Sequence, residues 1–391
     1  MKRTVKTEKK PIKLWLDDID RGAMDQAKNL ANLDFVHSHI AVMPDAHLGY
    51  GMPIGGVMAT TGVVIPNAVG VDIGCGMCAQ QTSLTSLDRN HLKELMALIR
   101  KSVPLGFKHH KKPRDSRLMP RSQSGIGVSE LPVVSREYEN GRTQLGTLGG
   151  GNHFIEIQQG SDHHIWIMIH SGSRNLGYKV ASYYNQLAAR LARRFGSNIP
   201  KSYQLAFLPV DSDEGWNYLQ EMNYCVDFAY ANRKLMMERV REALLMLAGP
   251  VHFGELINIA HNYAAREIHD RRELMVHRKG ATRARSGEIG IIPGSQGTPS
   301  YLVRGRGNRD SFESCSHGAG RKMGRKQARR SLDLADEKKY LDNQGIIHGV
   351  RSRRDLDEAP GAYKEIDRVI ENQLDLVEVV VTLKPLAVIK G

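Results

Sequence analysis

Polar residues of the kinds that bind metal ions occur repeatedly in glycine-rich segments of this 391-residue chain. A carboxylate, a thiolate and several imidazoles are the usual ligands of a divalent transition metal. Glycine lets the backbone take tight or positive-φ turns and lets a ligand approach closely. The pairing therefore predicts one buried site that handles a metal and a phosphate-like anion. The residues concerned are Asp72, Cys75, Asn152, His153, Glu156, His170, His261 and His317.

The motif VGVDIGCGMC (69–78) places Asp72 and Cys75 three residues apart on a glycine-kinked loop. This spacing lets both side chains reach one ion. Cys75 and Cys78 also form a CxxC pair, so the alternative is a zinc knuckle. A structural zinc site normally needs a second Cys or His pair at matching spacing, and the sequence has none. The motif therefore favours a metal held by Asp72 and Cys75.

Several segments have the residue types that bind phosphate. The glycine run before Asn152 exposes backbone N–H groups that can hold an anion. Arg174 in HSGSR offers a planar guanidinium for bidentate phosphate contact, and HRKGATRA brings Lys279 to a turn. PGSQGTPSY (293–301) is either a phosphate cradle or an ordinary Pro-Gly turn. Together these segments predict an anion next to the metal.

His317 opens HGAGR and is followed by a basic segment that we expect to be helical. His317 would then lie at or just before a helix N-terminus, where free N–H groups and the helix dipole favour anions. Histidine can form covalent intermediates, so we expect His317 to attack a phosphorus atom. The alternative is a further metal ligand. His261, in HNYAAREIHD, is also expected on a helix.

Composition sets the class of protein. With 41% apolar and 25% charged residues, the chain is expected to be globular, with one or two domains. The N-terminus lacks the apolar stretch of a signal peptide, no transmembrane helix is predicted, and the four cysteines are too few for a disulfide scaffold. We therefore expect a cytoplasmic protein. The net charge of +13, concentrated in basic segments beside the glycine motifs, favours a polyanionic substrate such as nucleic acid.

The pattern of elements predicts an α+β fold, with mixed sheets flanked by helices, because strands and helices do not alternate strictly. HIAVM (39–43) is a predicted strand that ends in PDAHLGYGMPIGG, and 178–195 has helical spacing. The longest helical pattern, 216–247, is interpreted as a helical insertion beside the catalytic core. The C-terminal part is expected to form a helix at 362–376 and then two strands.

The motifs follow one another in a recognisable order. They are PDAHLGYGMPIGGV, VGVDIGCGM, GTLGGGNHFIEI, HSGSRNLG, HNYAARE, HRKGATRA, PGSQGTPSY, SHGAGR, DEAPGAYKEID and the terminal VIKG. In this order they resemble the RtcB family of RNA-splicing ligases over nearly the whole chain. The resemblance implies a single RtcB-like catalytic domain spanning 1–391.

The resemblance also implies a reaction. RNA 3′-phosphate or 2′,3′-cyclic phosphate ends would be joined to 5′-hydroxyl ends, in RNA splicing or repair, with GTP and two Mn²⁺ ions. His317 would become guanylylated, and GMP would pass to the RNA as RNA-3′-pp-5′-G before the 5′-hydroxyl displaces it. Asp45, in PDxH, would serve the active site. RNA is the implied partner, an archease-type activator is a second one, and we expect a monomer that does not bind membranes.

Carried over by position, the family roles fall on three sets of residues. Cys75 would bridge the two metal ions, whose ligands would be Asp72, Cys75, His153, His170 and His261. The guanylate would be held by Asn152, His153, Phe154, Ile155, Glu156, His261, Asn262, Pro293, Gly294, Ser295, Gln296, Ser300, His317, Gly318, Ala319, Gly320 and Lys390. RNA phosphates would contact Arg174, Lys279, Arg321 and Arg325.

Two other functions remain open at this point. A metal-dependent phosphohydrolase or nuclease acting on RNA would need a metal-bound water and no nucleotide. An RNA-binding accessory protein would need no catalytic residues, but the chain keeps every metal-ligand type and His317. Ligand softness alone would favour Zn²⁺ at a thiolate-imidazole site, whereas the family implies Mn²⁺ with Zn²⁺ as an inhibitory competitor.

Overall fold

A computed structural model describes residues 1–121 and 125–391. The fold is α+β, as predicted, with two large sheets and helices packed against them. Its helices are α1 Arg21–Ala31, α2 Arg89–Ser102, α3 Val134–Gln144, α4 Arg174–Leu191, α5 Asp213–Ala248, α6 Arg325–Ser331, α7 Leu334–Asn343 and α8 Ile366–Glu371. Its strands are β1 Arg3–Val5, β2 Ile12–Leu14, β3 Val36–Tyr50, β4 Met52–Thr60, β5 Val63–Val64, β6 Gly76–Gln81, β7 Phe154–Gly160, β8 Ile165–Ser171, β9 Leu208–Pro209, β10 Ile257–Ala260, β11 Asn262–His269, β12 Arg272–Lys279, β13 Ala281–Arg283, β14 Ile289–Ile292, β15 Ser300–Gly305, β16 Ser314–Ser316 and β17 Val377–Lys390.

One of the two large sheets is mixed and the other is antiparallel. The first sheet has the strand order β1-β2-β3-β4-β12-β11, in which only β2 and β3 pair in parallel. The second has the order β10-β6-β8-β7-β17-β15-β14 and is antiparallel throughout. Every residue of β8 (IWIMIHS) is buried, as expected of an interior strand covered on both faces. The chain passes from the second sheet to the first between β10 and β11.

Helix α5 is the main helical support of the second sheet. It begins at an N-cap, Ser212, whose hydroxyl accepts a hydrogen bond from the Gly215 N–H at 3.1 Å. It ends at Gly249, which has a positive φ of 73°. Its apolar residues pack against α2, α4 and β8, so α5 is buried along much of its length. The predicted helix at 216–247 lies within it, and its interpretation as an insertion stays a prediction.

Several predicted elements can be compared with the observed helices and strands. The strand predicted at 39–43 lies within β3, and the helix predicted at 178–195 corresponds to α4. The helix expected at 362–376 was wrong in length, because only Ile366–Glu371 is α-helical. The two expected C-terminal strands are one strand, β17, with an irregular register between Pro385 and Ala387. Pairing with β7 on one side and β15 on the other keeps this strand continuous.

A buried ion pair joins the first sheet to the segment that leads to His317. Arg278 on β12 donates two hydrogen bonds to the Glu267 carboxylate on β11, at 2.5 and 3.0 Å. The same guanidinium donates to the Phe312 carbonyl and the Ser314 hydroxyl, both at 2.9 Å. Burial favours the protonated form of Glu267, but Arg278 and His269 together more than offset this and lower the pKa of Glu267 below its usual value. The pair therefore fixes β16 against the sheet.

We expect Arg278→Met to lower the free energy of unfolding by about 3–5 kcal/mol, because Glu267 would stay buried with only His269 at 3.1 Å and the half-exposed Arg285 at 4.0 Å as basic neighbours in the described chain. Arg266→Met is the matched control, since Arg266 pairs with Glu273 at 3.0 Å while both side chains are more than half exposed. The control should cost about 1 kcal/mol or less. Urea unfolding of both variants measures the difference. Equal midpoints would show that the buried pair adds no stability.

Candidate active site

The five predicted metal ligands come together where neighbouring strands of the second sheet begin or end. Sγ of Cys75 lies 3.6 Å from Nε2 of His153 and 3.3 Å from Nε2 of His170. Nε2 of His153 lies 3.2 Å from Oδ2 of Asp72, and Nε2 of His170 lies 3.4 Å from Nε2 of His261. The side chains form two groups, each with ligand atoms within 4.8 Å of one another, and both include Cys75. Cys75 therefore has the position required of a shared ligand.

Strand pairing explains how residues so far apart in sequence meet. Cys75 directly precedes β6, and His170 lies at the end of β8, where it pairs with Met77 on one side and Phe154 on the other. His153 directly precedes β7, and His261 directly follows β10. Since β10, β6, β8 and β7 are neighbours in this order, their ends deliver the four side chains to one place. His261 lies in a connection between strands, so the expectation that it is helical was wrong.

Two polar residues of α5 hold the loops that bear the ligands. The Asn232 amide bonds to backbone groups of Thr147 and Gly172, between 3.1 and 3.2 Å. The Arg233 guanidinium donates to the carbonyls of Gly74 and Ser171, at 3.0 and 2.8 Å. Both residues are fully buried. Sequence reasoning missed them, although a polar pair inside the apolar pattern of this helix was a signal.

The imidazoles of His153 and His170 are placed in the tautomer that a metal requires. Nδ1 of His153 lies 2.9 Å from the Leu148 carbonyl, and Nδ1 of His170 lies 3.1 Å from the Asn152 carbonyl. Each Nδ1 must therefore carry the hydrogen and donate it, which leaves the Nε2 lone pair facing Cys75. Burial also lowers the pKa of His170 well below its usual value, so this ring is neutral. The donor set fits a divalent transition metal.

Burial acts on the thiol in the opposite sense. Desolvation raises the pKa of Cys75 well above its usual value, and the neighbouring Asp72 raises it further. A divalent cation between the ligands would favour the thiolate and reverse this effect. When His153 carries a hydrogen on Nε2, its contact with Asp72 more than offsets the effect of burial and lowers the Asp72 pKa, and a bound cation would take the place of that hydrogen. The negative charge needed to attract a cation is thus present.

His317 lies beside this cluster and is held by Asp45. Nδ1 of His317 is 2.5 Å from Oδ2 of Asp45, and the His317 backbone N–H donates to the same oxygen at 3.1 Å. The ring centroids of His317 and His261 are 4.8 Å apart. Gly320 has a positive φ of 71°, and a Cβ there would come within 2.2 Å of the Asp45 carbonyl oxygen. Glycine in HGAGR thus permits the close approach of the two segments.

The expected location of His317 at a helix N-terminus was wrong. His317 directly follows β16, whereas α6 begins at Arg325, eight residues further on (325 − 317). The intervening glycines form an extended turn that packs against β3 instead of starting the helix. The contact between His317 and Asp45, rather than a helix dipole, therefore sets the electrostatic environment of the His317 ring.

A cavity of about 680 Å³ opens next to His317. Most of the residues predicted to hold a nucleotide line it. They are Asn152, Phe154, Glu156, Pro293, Gly294, Ser295, Gln296, His317, Gly318, Ala319, Gly320 and Lys390. Other predicted residues have structural contacts instead. Ile155 is in the hydrophobic core, and the Ser300 hydroxyl accepts from the Gly294 N–H at 3.2 Å. The Asn262 amide donates to the Asp72 carbonyl and accepts from the Gly280 N–H, which ties two loops together.

Glu358 forms ion pairs with three cationic side chains at the cavity wall. Its carboxylate lies 3.2 Å from Nη1 of Arg321, 3.0 Å from Nε of Arg325 and 3.6 Å from Nζ of Lys390. Burial would raise the pKa of Glu358, but Lys390, Arg325 and Arg321 more than offset it, so the pKa is lowered. The Tyr363 hydroxyl also donates to it. Sequence reasoning did not assign Glu358, although it belongs to the motif DEAPGAYKEID.

The four predicted phosphate-binding cations fall into two pairs. Arg321 and Arg325 line the cavity. Arg174 instead donates to the Gly106 carbonyl and the Thr147 hydroxyl, both at 3.2 Å, beside the metal-ligand cluster. Lys279 is buried and donates to the carbonyls of Tyr50 and Asn67 at 2.5 and 2.9 Å, and burial lowers its pKa to about 7. Lys279 thus braces two loops in this structure.

The fold and the site define an α+β protein in which a cluster of metal-ligand types adjoins a cavity rich in cations and glycine turns. This is the arrangement of a metal-dependent enzyme that acts on an anion. The chain belongs to the RtcB family: residues 26–391 match the family described as tRNA-splicing ligase RtcB. The resemblance inferred from the motifs is confirmed.

Individual relatives agree with this assignment. The chain is 40% identical to the RNA-splicing ligase RtcB of Escherichia coli (strain K12), over 98% of each chain. It is 32% identical to the tRNA-splicing ligase RtcB of Thermococcus kodakarensis, over 94% of this chain and 91% of the relative. Identity to the corresponding Pyrobaculum aerophilum protein is 33%, over 98% and 95%. In the part of the chain that the structure describes, none of the helices has the length and apolarity to cross a bilayer.

We expect Cys75→Ala to abolish tight binding of at least one divalent ion, because both ligand groups lose a member. Cys78→Ser is the matched control, because Cys78 is buried three residues away with its Sγ 3.9 Å from the Arg233 carbonyl. Calorimetric titration with Mn²⁺ and metal analysis of the purified proteins measure the difference. Lost binding in Cys78→Ser with normal binding in Cys75→Ala would invert the ligand assignment.

Proposed function

We propose that this protein is a GTP- and Mn²⁺-dependent RNA ligase that joins 3′-phosphate or 2′,3′-cyclic phosphate ends to 5′-hydroxyl ends. The observation that carries the proposal is the pairing of His317 with Asp45 at the cavity. Asp45 is placed to accept the Nδ1 hydrogen of His317, which would leave the Nε2 lone pair free to act as a nucleophile. A buried carboxylate also stabilises the positive charge that develops on the ring during attack.

In the first step Nε2 of His317 attacks the α-phosphorus of GTP. A P–N bond forms, the bond from that phosphorus to the bridging oxygen breaks, and pyrophosphate leaves with the electron pair. Asp45 keeps the Nδ1 proton in place throughout. Two Mn²⁺ ions held by Asp72, Cys75, His153, His170 and His261 would supply Lewis-acid stabilisation of the phosphate charges.

In the second step an oxygen of the RNA 3′-phosphate attacks the same phosphorus, the P–N bond breaks, and RNA-3′-pp-5′-G forms. In the third, the 5′-hydroxyl oxygen attacks the phosphorus of the RNA 3′-phosphate, GMP leaves, and the hydroxyl proton is released. A 2′,3′-cyclic phosphate must first be opened by water to the 3′-phosphate. Release of His317 in the second step returns the protein to its starting state.

The residues that line the cavity match the charge and hydrogen-bonding groups of a nucleoside monophosphate. Gly318 and Ala319 line the cavity, and their backbone N–H groups could bind phosphate or base without a charged side chain. The turn at 293–296 also lines it, but the N–H groups of Gly294 and Ser295 already donate to Ser300 and Thr298. Lys390 contributes an ammonium over the Phe154 ring, with 5.5 Å between Nζ and the ring centroid. Arg321 and Arg325, already held by Glu358, add positive charge where a polyanion would enter.

The nature of the metal remains part of the proposal. Thiolate and imidazole ligands bind Zn²⁺ well, whereas membership of the family supports Mn²⁺. Zn²⁺ would then compete for the same ligands and inhibit the enzyme. We further propose a monomeric cytoplasmic protein, organised as one catalytic domain, whose RNA substrate is the main partner and an archease-type protein an activator.

The main alternative is a metal-dependent phosphohydrolase or nuclease acting on RNA. The metal-ligand cluster is compatible with that chemistry, but a hydrolase that attacks with a metal-bound water does not need the His317–Asp45 pair beside the cavity. An accessory RNA-binding protein would not need the His317–Asp45 pair. Incubation with α-labelled GTP separates these functions, because only a ligase of this type keeps label on the protein.

His317→Ala should abolish labelling of the protein by α-labelled GTP, because no other group in the proposal supplies the nucleophile. Mn²⁺ binding and the melting temperature should be nearly unchanged. Asp45→Asn should slow labelling strongly but not eliminate it, because an amide can still accept the Nδ1 hydrogen but has no negative charge to stabilise the positive charge that develops on the ring. His252→Ala, an exposed histidine, is the control. Normal labelling of His317→Ala would remove this residue from the role.

Lys390→Ala should slow guanylylation about ten- to a hundredfold at low GTP. A hydrogen bond to a charged partner contributes about 1.5–3 kcal/mol, and about 1.4 kcal/mol corresponds to a factor of ten. Stability should change little, since Arg321 and Arg325 still neutralise Glu358. Lys384→Ala, an exposed lysine on the same strand, is the matched control. Equal label-transfer rates for the two variants would mean that Lys390 does not contact the guanylate.

A further inference from the structure

The loop formed by residues 105–112 reaches the metal-ligand cluster through one glycine contact. The Gly106 N–H donates to the Gly149 carbonyl at 3.0 Å, and Arg174 donates to the Gly106 carbonyl at 3.2 Å. Gly149 in turn packs against His153, because a Cβ on Gly149 would lie 2.6 Å from Nδ1 of that ring. The backbone of the 105–112 loop is therefore fixed next to the place where the metal ligands meet.

Phe107 projects from this fixed backbone into solvent. Its side chain is 98% exposed, the highest value among the exposed large hydrophobic residues of the described chain. A phenylalanine in water loses the apolar contacts that normally place it in a core. A single exposed apolar residue is not unusual by itself. What distinguishes Phe107 is its place, one residue after the glycine that contacts the site.

The residues after Phe107 are almost all basic. Lys108, Lys111 and Lys112 are exposed, and none of them forms an ion pair with the residues that the structure describes. His109 is exposed between them. A solvent-exposed aromatic ring flanked by unpaired cations is the combination with which proteins bind single-stranded nucleic acid: the ring stacks on a base, and the cations contact phosphates.

We propose that the 105–112 loop binds a single-stranded RNA end, with Phe107 stacked on a base near the reacting terminus. The proposal rests on the function proposed above, and it adds a binding subsite for the RNA strand outside the nucleotide cavity. Lys108, Lys111 and Lys112 would contact phosphates of the same strand. A protein partner is less well matched, because an interface core is depleted of charged residues, whereas this ring is surrounded by lysines.

The first test measures RNA affinity by fluorescence anisotropy, with short RNAs that end in a 3′-phosphate or a 5′-hydroxyl. Phe107→Ala should weaken binding of at least one of them about five- to a hundredfold, the range of one lost stacking interaction. Phe107→Trp should restore binding, because a larger ring still stacks. Ile268→Ala, at an exposed apolar position of β11, should bind like the unmodified protein. Equal affinity of Phe107→Ala and the unmodified protein for both RNAs overturns the proposal.

A second test identifies the nucleotide. A set of RNAs would each carry one abasic site, at one of the first three positions from either end. Only one of these abasic sites should weaken binding to the unmodified protein. At that position the abasic change should have little further effect on Phe107→Ala, because the two changes remove the same contact. Strict additivity at every position would show that the ring stacks on no base, and so would also overturn the proposal.

Failure of the RNA-binding proposal can be distinguished from failure of the proposed ligase function. Labelling from GTP needs no RNA, so Phe107→Ala should label at the normal rate while its RNA affinity falls. If the unmodified protein does not label, the ligase proposal fails whatever the RNA affinities are. If Phe107→Ala changes the oligomeric state in sedimentation and leaves RNA affinity unchanged, the loop is a protein interface and the RNA-binding proposal is wrong.

Discussion

The arrangement of the site depends on a buried cation that has no carboxylate partner among the described residues. The Arg233 guanidinium reaches from α5 to the carbonyls of Gly74 and Ser171 and to the Asn258 side chain. Nη2 of Arg233 has no hydrogen-bond partner among the described residues. Burying such a charge is costly unless its hydrogen bonds are made, and Nη1 of Arg233 makes its hydrogen bonds only if the glycine loops lie where these carbonyls can accept. This requirement fixes the loop that carries Asp72 and Cys75 against the end of β8, where His170 lies. Asn232, one residue earlier, does the same for the loop before His153.

A second constraint connects the two large sheets. His261 lies where the chain passes from β10 in one sheet to β11 in the other, and its ring contacts that of His317. Asp45, the partner of His317, belongs to β3 of the first sheet. The metal ligands therefore lie at strand ends of the second sheet, Asp45 lies on the first sheet, and His317 follows β16, which pairs with β13 in a separate two-stranded sheet. The transfer of GMP proposed above would benefit from such rigid supports.

The third feature is the distribution of charge around the cavity. Glu358 neutralises part of the charge of Arg321, Arg325 and Lys390, so three cations can lie close together without prohibitive repulsion. The carboxylate orients these cations, and an anionic substrate would compete with it for them. The other guanidinium nitrogens of Arg321 already donate to the carbonyls of Met323 and Asp357. The net charge of +13 extends this attraction over the surface, which favours association with a polyanion.

The sequence by itself determined the kinds of residue in the site, their glycine settings, the α+β class and membership of the family. Residue types and short spacings carry this information, because ligand chemistry and turn geometry are local. The tertiary structure decided which side chains meet and what holds them. It placed His261 in a strand connection, gave His317 an aspartate rather than a helix N-terminus, and turned Lys279 inward to brace two loops. Burial and hydrogen bonds between distant segments decide such matters, and neither can be read from neighbours in the sequence.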